Sequence, residues 1–406
     1  MKKNNLFRTI LTGITLLFGI AASTIAQEYD FKEGQLYYKI TDTEAKNVEV
    51  VNELGMFSNY TEGNQPTGKV VIPATVTNKS IVYSVTGIGR DALGYTCKGI
   101  TEIQIGANVE LIHLYAIDSR LPKLSAFTVA DGNKHFMAIN GILFSIDGKQ
   151  LIRYPMAKTV SSYIIPDGVE ELGFGVFRDD ETITTISLPK SLQILAGYAF
   201  SNCPNLTTFI GLENTQLTNI NNYCFDGIGI SSFSVPNGVV RLSDYFLSRC
   251  ENMKEVDISS SVTEIGWYSF SYNPTLTTIR CHAATPPIIM DKENVFIDTD
   301  ITSITLYVPV GSKALYDKAP TWKDFGKIIE NPVVSIPPVQ SDKIKVWTND
   351  GTLYMNLSQS DDVYIYNMSG VFITKLLNVS GETSVSLPPG VYVVKTGGFS
   401  TKILNH

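Results

Sequence analysis

The sequence predicts a mainly β protein, in which a β-solenoid with coils of about 23 residues is followed by a small antiparallel β-sandwich. Three observations support this prediction. An apolar residue returns at steps of 24, 60, 23, 25, 22 and 23 residues, each return precedes a pair that is usually small then large, and the C-terminal part alternates apolar and polar residues between glycine-containing turns. The returning residues are Ile88, Ile112, Leu172, Leu195, Ile220, Leu242 and Ile265.

Residues 1–26 have the pattern of a secretory signal peptide, because Lys2, Lys3 and Arg8 precede an apolar stretch that ends in small residues. We expect cleavage after Ala26 and a protein that is secreted or held at the outer cell surface. No cysteine precedes Cys97, so the thiol that a bacterial lipoprotein would need is missing. No later segment reaches 18 uninterrupted apolar residues, and no transmembrane span is predicted.

The charge balance argues against a nucleic-acid partner. The chain has 32 basic and 39 acidic residues, and removal of the three basic residues of the signal changes the net charge from -7 to 29 - 39 = -10. Nucleic-acid binding depends on a basic surface that releases counterions, and no such surface is visible in the sequence.

Residues 27–80 contain strand-like stretches and are predicted to form an N-terminal β cap on a repeat array at 81–330. In each coil a short strand with alternating apolar residues follows a polar turn. One coil cannot bury its apolar side alone, so the coils must stack. The large member of each pair then forms a ladder through the core: Phe177, Phe200, Phe225, Phe270 and Phe296, with the order reversed at Phe246-Leu247.

The five cysteines are an odd number, so any disulfide scheme leaves one unpaired. Cys97, Cys203 and Cys250 occupy the same position of the repeat. Cys203 and Cys250 are two coils apart, which is roughly 10 Å and exceeds the limit of about 7 Å between the Cα atoms of a disulfide. The sequence therefore predicts buried thiols, with a bridge to Cys224 as the alternative.

The step of 60 residues contains NGILFSIDGKQLIRYP, where Asp147-Gly148 between alternating apolar residues indicates a hairpin. One interpretation is a protruding flap that binds a partner. The other, which we favour, is an irregular coil that the array absorbs.

The segment 331–343 is rich in proline and polar residues and is predicted to be a linker. Residues 344–406 alternate apolar and polar positions between turns, which predicts the small antiparallel β-sandwich.

Motifs that would indicate catalysis or metal binding are weak in this sequence. GNQPTGK has the spacing of a phosphate loop, but Val70 stands where Ser or Thr would bind magnesium, and a strand is predicted to follow. The histidines are scattered, and the acidic run at Asp179, Asp180 and Glu181 is interpreted as a solvated turn. The sequence therefore predicts no catalytic residue, no metal site and no cofactor.

The outward positions of the stacked strands are mostly Ser and Thr, which suits an extended polar partner such as a protein or a glycan. Charged and amide side chains interrupt this face at a few positions. The predicted ligand-binding residues are Glu102, Gln104, Glu255, Asp257 and Arg280.

The segments SLPKSLQILAGYAFSNCPNLTTF and VTEIGWYSFSYNPTLTTI resemble repeats of the BspA-like leucine-rich repeat family of bacterial surface proteins. LYVPVGSKALYDKAPTWKDFGKIIE, at 306–330, resembles the closing segment of that family. The resemblance implies a leucine-rich repeat fold and a role in adhesion to host or bacterial partners, without catalysis.

GVYVVK, at 390–395, and STKI, at 400–403, are similar to the C-terminal sorting domains of type IX secretion cargo, although the chain ends in Leu-Asn-His and not on a basic residue. The resemblance implies sorting to the outer membrane, and a structural or anchoring tail is the alternative.

The predicted function is recognition or adhesion at the cell surface by a non-enzymatic protein that binds a host or bacterial surface protein or a glycan. The alternatives are an extracellular carbohydrate-active enzyme or its carbohydrate-binding accessory, and a structural envelope component without a specific ligand. A pair of carboxylates facing each other across a cleft would favour the enzyme.

Overall fold

The computed structural model of the protein describes residues 29–55, 60–331, 344–349, 352–367, 372–388, 390–396 and 399–405. The predicted signal peptide with its cleavage site at Ala26 lies outside the described residues, as does the predicted linker apart from Asn331.

The N-terminal part forms one sheet with the strand order β1-β2-β3-β6-β5, in which only β3 and β6 pair in parallel. Tyr37, Tyr38, Val48 and Val85 fill its core. β4 belongs to a second sheet, whose other strands lie in the coils that follow. The strands are β1 (Phe31–Glu33), β2 (Leu36–Asp42), β3 (Asn47–Val51), β4 (Gly68–Val71), β5 (Thr75–Asn78) and β6 (Ile81–Ile88).

The coils that follow contain short strands in almost every turn, as the alternation of apolar residues predicts. The first are β7 (Ile100–Ile105), β8 (Leu111–Ile112), β9 (Ala126–Val129), β10 (Phe136–Ile139), β11 (Ile142–Ser145), β12 (Gln150–Arg153), β13 (Ser162–Ile164), β14 (Glu171–Leu172), β15 (Thr185–Ser187), β16 (Ile194–Leu195), β17 (Thr208–Ile210) and β18 (Asn219–Ile220).

The C-terminal coils continue the pattern and close with a short helix, α1 (Lys313–Tyr316). Single turns of 3₁₀-helix lie at Leu212–Asn214, Ile301–Ser303 and Trp322–Asp324. The strands are β19 (Ser232–Ser234), β20 (Arg241–Leu242), β21 (Glu255–Ile258), β22 (Glu264–Ile265), β23 (Thr278–Cys281), β24 (Ile288–Ile289), β25 (Thr305–Pro309) and β26 (Lys327–Asn331).

These strands form two rows, in which equivalent residues of successive coils pair in parallel. Row A consists of the sheets β4-β7-β9, β13-β15-β17 and β19-β21-β23-β25-β26, and row B of the strands β3-β6-β8, β12-β14-β16-β18 and β20-β22-β24. In row B, Leu172 pairs with Leu195 and Leu195 with Ile220. The predicted repeat positions are therefore confirmed as the positions that stack.

The phenylalanine ladder is confirmed in the core. The rings of Phe177 and Phe200 are 5.4 Å apart and those of Phe200 and Phe225 are 5.9 Å apart, with interplanar angles of 3° and 8°. Phe270 and Phe296 stack in the same way at 5.5 Å. All of these side chains are buried, so each coil is held by its neighbours.

The coil with the reversed pair keeps its packing by changing the ring geometry. Leu247 takes the repeat position and is fully buried, with its N–H donating to the Ser269 carbonyl at 2.9 Å. The ring of Phe246 stands at 83° to that of Phe225, with centroids 5.6 Å apart. An edge-on contact therefore replaces a stacked one at this coil.

The predicted hairpin is present, and the array absorbs it. β11 and β12 pair antiparallel around Asp147 and Gly148, and β12 then pairs in parallel with β14. Leu151 stands opposite Leu172, so the segment within the step of 60 residues supplies one further repeat position.

The cysteines are buried free thiols, as predicted, with no bridge at Cys224. The thiol of Cys203 lies 3.0 Å from the Phe177 carbonyl oxygen, and that of Cys250 lies 3.3 Å from the Phe225 carbonyl oxygen. Burial raises the pKa of the Cys250 thiol to about 12. These thiols therefore donate hydrogen bonds to the preceding coil.

The last coil is covered by side chains from α1 and the turn after it. Trp322, Tyr316 and Phe325 are buried. The Trp322 indole donates to the Pro287 carbonyl at 2.8 Å, and the Tyr316 hydroxyl donates to the Ala283 carbonyl at 2.7 Å. These contacts close the apolar core where the repeats end.

The C-terminal part has its own core and an antiparallel sheet that fits the predicted small sandwich. The pairing of its two longest strands shifts register near Leu357 and Asp361, which bends a sheet. Leu353, Val363 and Ile365 are buried in this core. The strands are β27 (Ile344–Asn349), β28 (Thr352–Asn367), β29 (Phe372–Ser386), β30 (Gly390–Thr396) and β31 (Phe399–Asn405).

Candidate functional site

The structure divides the predicted ligand-binding residues between two sheets of row A. Glu102 and Gln104 lie on β7, in the sheet β4-β7-β9. Glu255, Asp257 and Arg280 lie on β21 and β23, in the sheet that ends at β26. All five side chains are partly exposed, as their predicted outward positions require. They form two separate groups because several coils lie between β7 and β21.

The first group is a single ion pair at the N-terminal end of the array. The Lys69 ammonium lies 2.7 Å from Glu102 Oε1, and the Thr128 hydroxyl donates to the same oxygen at 3.3 Å. The hydrogen bond from Lys69 lowers the pKa of Glu102. Both side chains reach solvent, so this pair contributes little to stability.

The second group is an ion-pair cluster, which we call the Arg280 cluster and define as Glu255, Asp257, Arg280, His282 and Tyr307. Arg280 Nη1 lies 2.8 Å from Glu255 Oε2 and 3.8 Å from Asp257 Oδ2. The hydrogen bond to Glu255 raises the pKa of the Arg280 guanidinium. His282 Nε2 lies 3.6 Å from Asp257 Oδ1, and the guanidinium carbon of Arg280 is 5.7 Å from the centre of the Tyr307 ring.

Sequence reasoning missed His282 and Tyr307, although the signal was present. Tyr307 stands two residues after Thr305 on β25, and His282 stands two residues after Arg280, directly beyond the end of β23. Side chains two apart along a strand point to the same face. The cluster presents acidic, basic and aromatic groups within one patch of partly exposed side chains. Such a patch can form hydrogen bonds and ion pairs with a partner.

The acidic run of the sequence is not wholly a solvated turn, which corrects the prediction for Asp180. This residue is buried, and its Oδ1 accepts hydrogen bonds from the N–H groups of Thr182 and Ile183 at 2.7 and 3.0 Å. Its carboxylate therefore satisfies backbone donors of the turn. The turn therefore supplies the hydrogen-bond partners of one buried carboxylate oxygen of Asp180.

The part of the chain that the structure describes contains neither a metal-binding cluster of side chains nor a membrane-spanning helix. Among those residues, no group of three or more His, Cys, Asp or Glu side chains could hold a metal ion. None of the described helices has the length and apolar character required to cross a membrane.

A second aromatic ladder lies outside the core, and the sequence analysis did not predict it. Rings stack from Tyr198 to Tyr223 at 4.5 Å, to Tyr245 at 4.2 Å and to Tyr268 at 4.7 Å, with interplanar angles of 7°, 12° and 7°. All of these tyrosines have a left-handed backbone, with φ between 56° and 62°. This conformation is costly for a side chain with a Cβ atom.

The ladder continues through Phe174, although the left-handed position of that coil is Gly175. The Phe174 ring lies 5.3 Å from that of Tyr198. A ring from the preceding residue therefore fills the place where glycine provides none. The sequence signal is an aromatic residue one or two positions before the small-large pair, which resembles ordinary variation unless the backbone is known.

A model of one protein family matches part of the repeat array. The family described as "BspA type Leucine rich repeat region" matches in six copies at residues 156–277 and 210–316. No curated protein matches the chain.

Several solved structures are similar to the chain. The pneumococcal vaccine antigen PcpA is 16% identical, with 75% of this chain and 98% of that chain covered and a TM-score of 0.45. A leucine-rich repeat protein from Eubacterium ventriosum is 18% identical, with 65% and 66% covered and a TM-score of 0.39. Another from Bacteroides ovatus is 18% identical, with 75% and 83% covered and a TM-score of 0.34. Residues 156–316 of this chain are therefore similar to leucine-rich repeats of the BspA type.

Proposed function

We propose that this chain is a non-enzymatic recognition protein, secreted or held at the outer cell surface, whose repeat array binds a host or bacterial surface protein or a glycan through row A. The observation on which the proposal depends is the Arg280 cluster, which combines charged and aromatic groups on the longest sheet of that row. The secretory pattern of residues 1–26 supports the location.

Row A supports the proposal because β21, β23 and β25 each pair with a neighbouring strand on both sides, which orders their backbone. Around the cluster, β21, β23 and β25 pair residue by residue in parallel, with Glu255 opposite Thr278 and Thr278 opposite Thr305. Strands in a sheet are about 4.8 Å apart, so five strands present a surface about 19 Å wide. A preordered surface loses less conformational entropy when it binds.

The chemistry of the cluster favours a polar partner. Arg280 is already paired with carboxylates, so a partner that bonds to it either uses the remaining donors of the guanidinium or exchanges an ion pair. Such exchange contributes to specificity, because an incorrect partner leaves a charge unpaired. The C-terminal sandwich would then act as a sorting or anchoring module, which the resemblance of GVYVVK and STKI supports.

The test is a pull-down with the full chain against host matrix proteins, bacterial surface proteins and a glycan array. The variant carries Glu255→Ala, Asp257→Ala and Arg280→Ala together, and the control carries Arg241→Ala and Glu264→Ala, which remove an ion pair on row B. We expect binding to fall at least about tenfold in the triple variant, which is ~1.4 kcal/mol, and to persist in the control. Unchanged binding in the triple variant would exclude the Arg280 cluster, and turnover of a polysaccharide would refute the non-enzymatic role.

A further inference from the structure

A groove of about 300 Å³ lies on row B, between the hairpin β11–β12 and the coils that follow it. Its floor consists of Gln150, Glu171 and Ile194, which stand opposite one another on β12, β14 and β16. One wall is formed by Glu170 and Gln193, which are also on successive coils. The volume is at the lower end of the range for small-molecule sites, about 300–1,000 Å³.

The end wall of the groove is the hairpin turn, and hydrogen bonds fix its shape. Asp147 Oδ1 accepts from the Ser145 hydroxyl at 2.6 Å and from the Lys149 N–H at 3.1 Å. Gly148 has a φ of 72°, which a residue with a side chain rarely adopts. The hairpin therefore does not protrude as a flexible flap, but it does build one end of a concave site.

The polar side chains of the groove are oriented but retain capacity for further hydrogen bonds. Lys149 Nζ lies 2.8 Å from Glu170 Oε1, and Gln150 Nε2 donates to Glu171 Oε1 at 2.8 Å. An ammonium has three donor hydrogens and a carboxylate has several lone pairs, so each pair leaves donors or acceptors for a ligand. Within the described residues, the side-chain amide of Gln193 has no hydrogen-bond partner.

From this combination we infer that the groove binds a neutral sugar, either free or as the end of a glycan. A hydroxyl group both donates and accepts, so a polyol can use the carboxylates, the amides and the ammonium together. The side chain of Ile194 offers an apolar surface to the C–H face of a sugar ring. This inference does not depend on the proposed function, because the groove is on row B and the Arg280 cluster is on row A.

The charge of the groove selects against anionic ligands. Asp147, Glu170 and Glu171 supply three negative charges against the one positive charge of Lys149, which leaves -3 + 1 = -2. A phosphate, sulfate or uronate group would therefore be repelled. A cationic peptide is the competing ligand, because its ammonium groups complement this charge, but those groups cannot accept from Lys149, Gln150 and Gln193 as the hydroxyl oxygens of a sugar do.

The test uses saturation-transfer NMR on the full chain with glucose, galactose, mannose and N-acetylglucosamine, together with glucuronate and a lysine-rich peptide. The groove variants are Glu171→Ala and Gln193→Ala. The matched controls are Glu264→Ala and Thr218→Ala, which change the same positions of coils outside the groove. Melting curves of all four variants establish that they are folded.

We expect at least one neutral sugar to bind and its affinity to fall at least about tenfold in each groove variant, the loss for one strong hydrogen bond. The controls should bind like the parent chain, and glucuronate should not bind. The inference is overturned if no neutral sugar binds, if folded groove variants bind as well as the controls, or if glucuronate binds equally. Displacement of the sugar by the lysine-rich peptide, with tighter binding of the peptide, would assign the groove to a cationic ligand instead.

Discussion

The tyrosine ladder predicts that glycine is a less destabilising substitute than alanine at Tyr223, although glycine is usually the more destabilising of the two. Tyr223 has a φ of 62° and stacks between Tyr198 and Tyr245, with centroids at 4.5 and 4.2 Å. Replacement by alanine removes both contacts, worth about 0.5–1.5 kcal/mol each, and keeps a Cβ atom in the left-handed region. Replacement by glycine loses the same contacts but relieves a backbone strain of about 1–2 kcal/mol.

Glycine also increases the entropy of the unfolded chain, which offsets about 0.5–1 kcal/mol of that relief. Tyr223→Gly should therefore be destabilised by roughly 0.8 kcal/mol less than Tyr223→Ala, the difference of the two mid-values. The free energy of unfolding from urea titrations, followed by far-UV circular dichroism, measures the difference.

The control is the same pair of changes at Tyr163, which lies on β13 with an ordinary strand backbone. Its ring also has two aromatic neighbours, Tyr154 at 5.1 Å and Phe177 at 5.9 Å. At this position glycine should be the more harmful residue, because no strain is relieved. If alanine were the better substitute at Tyr223 as well, the left-handed backbone would not be a source of strain, and the account of the ladder would be wrong.

Two further changes test the core and the surface charges. Phe200→Ala should cost about 3–5 kcal/mol, because a fully buried ring between Phe177 and Phe225 leaves a cavity; an unchanged urea midpoint would contradict the ladder. Burial opposes the charge of Asp118, but hydrogen bonds from Arg120 outweigh it and lower the pKa of Asp118 in the folded state. The ionised Asp118 therefore stabilises the fold above its unfolded pKa of about 3.9, and this stabilisation is lost as the pH falls. In Asp118→Asn, the free energy of unfolding should decrease less steeply with falling pH on the acid side than in the parent chain. An equally steep decrease would refute this.

The sequence was sufficient to predict the stacking positions because they are set by burial. Leu172, Leu195 and Ile220 can be aligned by spacing alone, and each coil needs its neighbours to cover its apolar side. The hairpin at Asp147-Gly148 could be predicted for a similar reason, since the turn requires residues that tolerate a left-handed backbone. Elements that depend on one local rule could therefore be predicted from the sequence.

The tyrosine ladder could not be predicted from the sequence, because backbone preference and ring stacking conflict at its positions. The backbone at Tyr198 and Tyr223 favours glycine or asparagine, so a tyrosine there gives no sign of a left-handed residue. Stacking supplies the compensating energy, and stacking becomes visible only when the coils are superposed. In the coil of Gly175, the ring of the ladder comes from Phe174, one residue before the left-handed position. The ring is kept while its position in the sequence changes, so spacing alone does not reveal the ladder.

The candidate sites show why the chemistry of a solenoid cannot be inferred from one coil. Glu171 and Glu264 occupy the same repeat position on row B, and each precedes a buried apolar residue. Glu171 stands between Gln150 and Ile194 beside the hairpin turn, whereas Glu264 stands between Arg241 and Ile288 and pairs with Arg241 at 2.7 Å. The first carboxylate lines a groove and the second is bound in an ion pair. The properties of such a residue are set by the side chains about 23 positions before and after it, so a ligand site must be sought in columns across the coils.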